Sequence, residues 1–204
     1  MARTRIGGRV LGFASILWLA LTSQSSSVQA NDTKPTYPKQ ILIIRHAEKP
    51  ADEAKSAELS AEGKERAAEL HKIFEKSDKR PMPFATPDFI FAAKDSAKSH
   101  RPVLTVTALA KTLKLPLNTE FSNDDPSKLA DELFTNPKYA GKVILISWRH
   151  GGIPALAEKL KANGYSEVWK GEVFDRVWQI TFDEKGKATF ADRPMQLMPN
   201  DSEK

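Results

Sequence analysis

The sequence predicts an α/β fold, and three observations carry that expectation. Residues 41–44 and 143–147 are nearly unbroken aliphatic runs, the pattern of strands covered on both faces. Segments between them place apolar residues at helical spacing, as Ala67, Leu70, Ile73 and Phe74 do. The two kinds of segment alternate along the chain, which argues for helices packed on a sheet rather than separate helical and sheet regions.

Taken in order, the first thirty residues read as a signal peptide. Arg3, Arg5 and Arg9 precede an apolar run over 10–21, and "VQA" at 28–30 offers small residues for cleavage. The run is shorter than the about 20 residues a membrane span needs. Export, to the periplasm or outside the cell, is therefore expected, with no membrane span once the signal is removed. A polar leader over 31–40 comes next, and then a domain over 41–192. The first strand covers 41–44, and residues 47–58 form a loop. Ser60 caps a helix reaching about Glu75, with Leu59 packed at its entry. "KRPMPFATPD" holds three prolines and connects to a second strand at 89–93. A charged loop leads to a helix over 101–113, where Pro102 fits the first turn. Residues 115–121 read as a short extended segment, and "SNDDPSKLADELF" as a cap and a short helix. The strand at 143–147 is followed by "RHGG" and a helix over 153–162, with Gly164 beyond its end. Val168-Trp169 reads as a short strand, "RVWQITFDEKGKATFA" as a hairpin turning at Lys185-Gly186, and 193–204 as a loose tail.

Composition excludes several classes. The 204 residues contain no cysteine, which rules out thiol catalysis, zinc-thiolate sites and disulfides. The formal net charge is +5, but three of the 31 basic residues fall in the first thirty positions, where there is no acid. That balance, without a basic-aromatic stripe, gives no reason to expect a nucleic-acid partner.

The chemistry gathers at strand ends. The first strand runs into Arg45-His46, and the third into Arg149-His150-Gly151-Gly152. Ligands of open α/β sheets bind outside the carboxyl ends of the strands, so both histidines belong on one rim. Arg101, after the second strand, joins them. Clustered guanidinium groups call for an anion, and their planar forks match phosphate oxygens. A cation beside His46 disfavours its protonation, so a ring nitrogen keeps the lone pair needed to attack phosphorus. His150, Arg45 and Arg101 would hold the non-bridging oxygens, and the same cations disfavour a metal between the histidines. His71 and His100 read as ordinary helix and loop residues. Lys49, Lys94 and Arg149 hint at a substrate with more than one negative charge.

Four segments in this order resemble the histidine phosphatase superfamily, which has the phosphoglycerate-mutase-like fold. They are "RHAEKP", "LSAEGKERAAEL", "SHRPVLTVTALA" and "ILISWRHGGIPAL". The resemblance implies a three-layer α/β/α sandwich with a mostly parallel central sheet. It implies His46 as the phosphorylated nucleophile, and Arg45, Arg101 and His150 as the phosphate pocket, with Arg149 as an extra contact. No metal or organic cofactor is implied. The Trp-Glu-Gly segment of one branch is missing, and Gly151 stands where another branch has an Asp. Glu120, Asp124 and Glu48 are left as candidates for the general acid. The reading is a phosphatase acting on a small-molecule or other phosphorylated substrate through phosphohistidine. The alternative is a phosphate-binding protein of the cell envelope that lacks turnover.

Overall fold

The computed structural model describes residues 1–2, 37–52 and 56–202. The expected signal peptide, apart from Met1 and Ala2, and most of the leader lie outside them. The chain divides into two units, Met1–Asp32 and Thr33–Lys204, and the architecture below is that of the second. Among the described residues no helix is long and apolar enough to cross a membrane.

Six strands form one sheet: β1 (Gln40–Arg45), β2 (Phe89–Ala92), β3 (Leu117–Asn118), β4 (Val143–Trp148), β5 (Arg176–Phe182) and β6 (Ala188–Pro194). Their order across the sheet is β3-β2-β4-β1-β5-β6. The first four are parallel, and the expected hairpin, β5-β6, joins antiparallel beside β1. Alternate residues of the aliphatic runs explain the layering. Ile41, Ile43, Ile144 and Ile146 face a core with α3 (Pro126–Thr135) and α4 (Ile153–Lys159). Leu42, Ile44 and Leu145 face the opposite core, with residues from α2 (Arg101–Leu113) and from the turn at Leu70–Phe74. Helices of the outward leg thus cover one face, and helices of the return leg cover the other.

The helix caps follow the sequence. Ser60 Oγ accepts from Gly63 N at 3.0 Å to start α1 (Ala61–Glu69), which tightens into a 3-10 turn at Leu70–Phe74 instead of continuing as α-helix. Gly63 is required by packing: a Cβ there would overlap the Glu48 carbonyl oxygen and stand 2.9 Å from the Glu48 nitrogen. Backbone cannot swing aside as a side chain does. Gly63→Ala should therefore cost about 1–3 kcal/mol, the usual range for overpacking, read as a lower urea midpoint at unchanged slope.

Two expectations are corrected. Val168-Trp169 is not a strand. Trp169 turns inward instead, donating Nε1–H to the Val173 carbonyl at 2.8 Å, with its ring 5.0 Å from that of Trp178. The tail is not loose over its described part. Met195 is 1% exposed, and Asp201 and Ser202 are tied into the domain by side-chain bonds.

Candidate active site

At the carboxyl end of β1 the chain leaves the sheet with one last tie, from His46 N to the Trp148 carbonyl at 2.9 Å. The His46 side chain is buried, and its Nδ1 lies 2.7 Å from the Ala47 carbonyl. A carbonyl only accepts, so Nδ1 carries the proton and Nε2 keeps its lone pair. Ala47 N donates to Thr105 Oγ1 at 2.8 Å, and that hydroxyl donates to the Arg101 carbonyl at 2.8 Å. One threonine therefore pins the start of α2 to the loop that carries His46. The His46 pKa is pushed down to about 3. Burial is the largest cause; the Ala47 carbonyl opposes it, and the nearby positive charges of Arg45 and Arg101 add to it.

His150 begins the short 3-10 turn after β4, and its ring centroid lies 6.5 Å from that of His46 at 77°. Arg45, 1% exposed, lies beside it. Its Nη2 donates to His150 Nδ1 at 3.2 Å, while Nη1 donates to the carbonyls of Gly171 at 2.7 Å and Val173 at 3.0 Å. Arginine only donates, so neutral His150 carries its proton on Nε2, available for an oxyanion. The Phe174 ring stacks under the guanidinium at 3.7 Å and lies 6.2 Å from His46. Sequence reasoning gave Arg45 a phosphate-binding role. The structure also makes it the clamp that orients His150 and holds the loop 170–174. The partners are backbone carbonyls, so no residue type in "KGEVF" announced them.

Arg101 opens α2 and is buried, with Nη1 donating to the Ser56 carbonyl at 3.0 Å. Arg149 is more exposed and pairs with Asp124 at 3.3 Å. Both line a cavity of about 920 Å³ with Lys94, Lys98 and Asp124. A second cavity, of about 790 Å³, is lined by Glu48, Glu62, Glu65, Glu172, Phe174 and Asp175, among others. The candidate acids thus separate. Asp124 shares the first cavity with Arg101. Glu120 is exposed, with its carboxylate beside Asn118. Glu48 is buried with Oε1 taken by Arg66 at 2.8 Å. His71 caps the Ala68 carbonyl at 3.0 Å and His100 lies 3.3 Å from Asp95, as ordinary surface residues do. Among the described residues no group of three or more His, Asp or Glu side chains is placed to hold a metal ion.

Arg66, in "GKERAAEL", supports this loop from below. It bonds Glu48 through Nε and grips Asp201 with both terminal nitrogens, at 2.9 and 2.8 Å. Asp201 also accepts from the backbone of Leu197 and Met198. The two carboxylates hold the Arg66 pKa above its ordinary value against the pull of burial. Removing the cation would leave two carboxylates facing each other. Arg66→Met is expected to destabilise by about 3–5 kcal/mol. Arg66→Lys should restore only part of that, because an ammonium cannot make the forked contact. Urea denaturation of the two variants checks both.

No family model matches the sequence, and no curated protein does. Solved structures do match. A protein histidine phosphatase SixA complexed with tungstate superposes with a TM-score of 0.54 at 17% identity, covering 76% of this chain and 97% of its own. A phosphoglycerate mutase from Plasmodium falciparum gives 0.53 at 14%, covering 81% and 97%. Another, from Bacillus anthracis str. Sterne, gives 0.50 at 15%, covering 79% and 96%. The sheet order and these superpositions agree: the chain has the phosphoglycerate-mutase-like fold.

Proposed function

We propose that the chain is a phosphatase that passes through a phosphohistidine on His46. The carrying observation is the state of that side chain. It is buried, protonated on Nδ1 and hard to protonate on Nε2, and a second imidazole and two arginines stand close by. The Nε2 lone pair attacks phosphorus, and the bond to the leaving oxygen breaks with its electron pair. The Nε2–H of His150 and the Arg101 guanidinium stabilise the equatorial oxygens. Water then attacks the phosphohistidine, releasing phosphate and restoring the lone pair. Of the three carboxylates, Asp124 is the best placed to protonate the leaving oxygen, because it shares a cavity with Arg101. It is loosely held, so substrates with good leaving groups, such as acyl phosphates or phosphohistidine, suit the site. The basic run over residues 3–9 and the apolar stretch after it support action outside the cytoplasm.

One observation favours a second reading, phosphate binding without turnover: Nη1 of Arg45 is spent on loop carbonyls. The test is a quench experiment with a ³²P-labelled phosphoester. The phosphatase reading expects label on His46 that survives alkali and is lost in acid, as a phosphoramidate must be. Binding of phosphate with no label on the protein would replace it with the second reading.

A further inference from the structure

The larger cavity lies over the carboxyl ends of all four parallel strands. Its wall takes Ser56 from the loop after β1, Lys94 and Lys98 from the loop after β2, Asp124 from beyond β3, and Arg149 from the end of β4. Arg149 in this wall directly precedes His150, and the Arg101 carbonyl is tied through Thr105 to Ala47, next to His46, so the cavity adjoins the reacting centre. Its volume exceeds what a phosphoryl group alone would fill and suits a small organic molecule.

The charges in the wall are unevenly compensated. Arg149 is matched by Asp124, and Asp95 faces His100. Among the described residues Lys94 and Lys98 have no carboxylate partner. Their backbone is nevertheless fixed. Lys94 N donates to the Phe121 carbonyl at 2.8 Å, and Ser96 and Ser99 exchange backbone bonds of 3.1 and 3.2 Å across the turn that carries Lys98. The ammonium groups are therefore presented by an ordered loop. The other cavity, past Phe174, has Arg66 and Arg176 in its wall, but Glu48, Glu62, Glu65, Glu172, Asp175 and Asp201 outnumber them, so it disfavours an anion. Electrostatics leaves one side of His46 for a negatively charged group.

We infer that the substrate carries a second anionic group, a carboxylate or another phosphate, on the part that leaves, and that Lys94 and Lys98 receive it. This rests on the phosphatase reading for its catalytic half. For its binding half it stands alone. The lysines set specificity, Arg101 spans the two anions, and Asp124 is kept near the leaving oxygen by Arg149.

The probes are 3-carboxyphenyl phosphate and 3-carbamoylphenyl phosphate, which match in shape and differ by one charge, with 1,3-phenylene bisphosphate as a third. Each is measured by kcat/KM and by calorimetric binding to the intact protein. The inference expects the carboxylate or the bisphosphate to be favoured over the amide by roughly five- to tenfold, the worth of one or two exposed charge pairs. That ratio should shrink as salt rises, and should approach one in the Lys94→Gln/Lys98→Gln double variant. Equal binding of all three probes overturns it, as does a ratio the double variant leaves unchanged. If no probe is hydrolysed and no label reaches His46, the phosphatase reading fails. The binding ratio then still decides whether this wall selects a second anion.

Discussion

His46→Ala is expected to lower kcat/KM for p-nitrophenyl phosphate by about 10⁴-fold or more, the scale seen when a covalent nucleophile is removed. That substrate needs little help from an acid, so the nucleophile dominates its rate. The variant deletes the Nε2 lone pair and leaves the guanidinium of Arg101 and the His150 ring, which depend on Ser56 and on Arg45 respectively. Phosphate should therefore still bind, and its affinity, measured by calorimetry, should change far less than turnover. Retention of wild-type turnover in the variant would remove His46 from the chemistry. Parallel loss of binding and turnover would mean that the pocket, rather than a bond to phosphorus, had been lost.

The second large effect is on stability in acid. Folded His46 takes a proton only near pH 3, whereas an unfolded histidine does so near 6.5. Above 6.5 the ring is neutral in both states and contributes nothing. Between 6.5 and about 3 the unfolded chain holds the extra proton, so each unit of acidification costs about 1.4 kcal/mol. Over the whole window the loss is on the order of 4–5 kcal/mol, and below it the effect saturates. His46→Asn has no group to protonate, and its amide N–H can replace the bond to the Ala47 carbonyl. Urea midpoints at pH 7, 5.5 and 4 should fall more steeply in the wild type than in His46→Asn. Parallel curves would mean that the ring is not held neutral by the fold. The keeping of a reactive lone pair thus carries a cost in acid, and only one side chain accounts for the difference between the curves.

Much of this was legible in the sequence because its cause is local. The aliphatic runs at 41–44 and 143–147 are buried on both faces, so no alternation obscured them. Ser60, Pro102, Asp125 and Pro154 mark helix starts through backbone chemistry that needs no distant partner. The two histidines were placed together because parallel strands deliver their carboxyl ends to one rim. What escaped depends on distant contacts. Nothing in the sequence singled out Arg66, because its partners are Glu48 and Asp201, the latter 135 residues further on. Trp169 read as strand because β-propensity says nothing of the Trp178 ring it meets. Residues 170–173 hold Arg45 by their carbonyls, which every residue has, so composition could not mark them. The general acid stayed open for a related reason: a carboxylate becomes an acid only by position, and Glu48, Glu120 and Asp124 differ in position alone.

The place of β1 in the sheet has a consequence for how the molecule is made. Ile41 lies against Ile144 on one side and Ile180 on the other. A chain leaving the ribosome amino end first exposes its stickiest segment early, and its neighbours only near the close of synthesis. Until residue 148 has emerged, that segment is an open edge on both sides, and until residue 182 on one, prone to pair with another nascent chain. Spontaneous refolding from denaturant should be slow for a protein of this size, because the central pairing joins stretches so remote in order of synthesis.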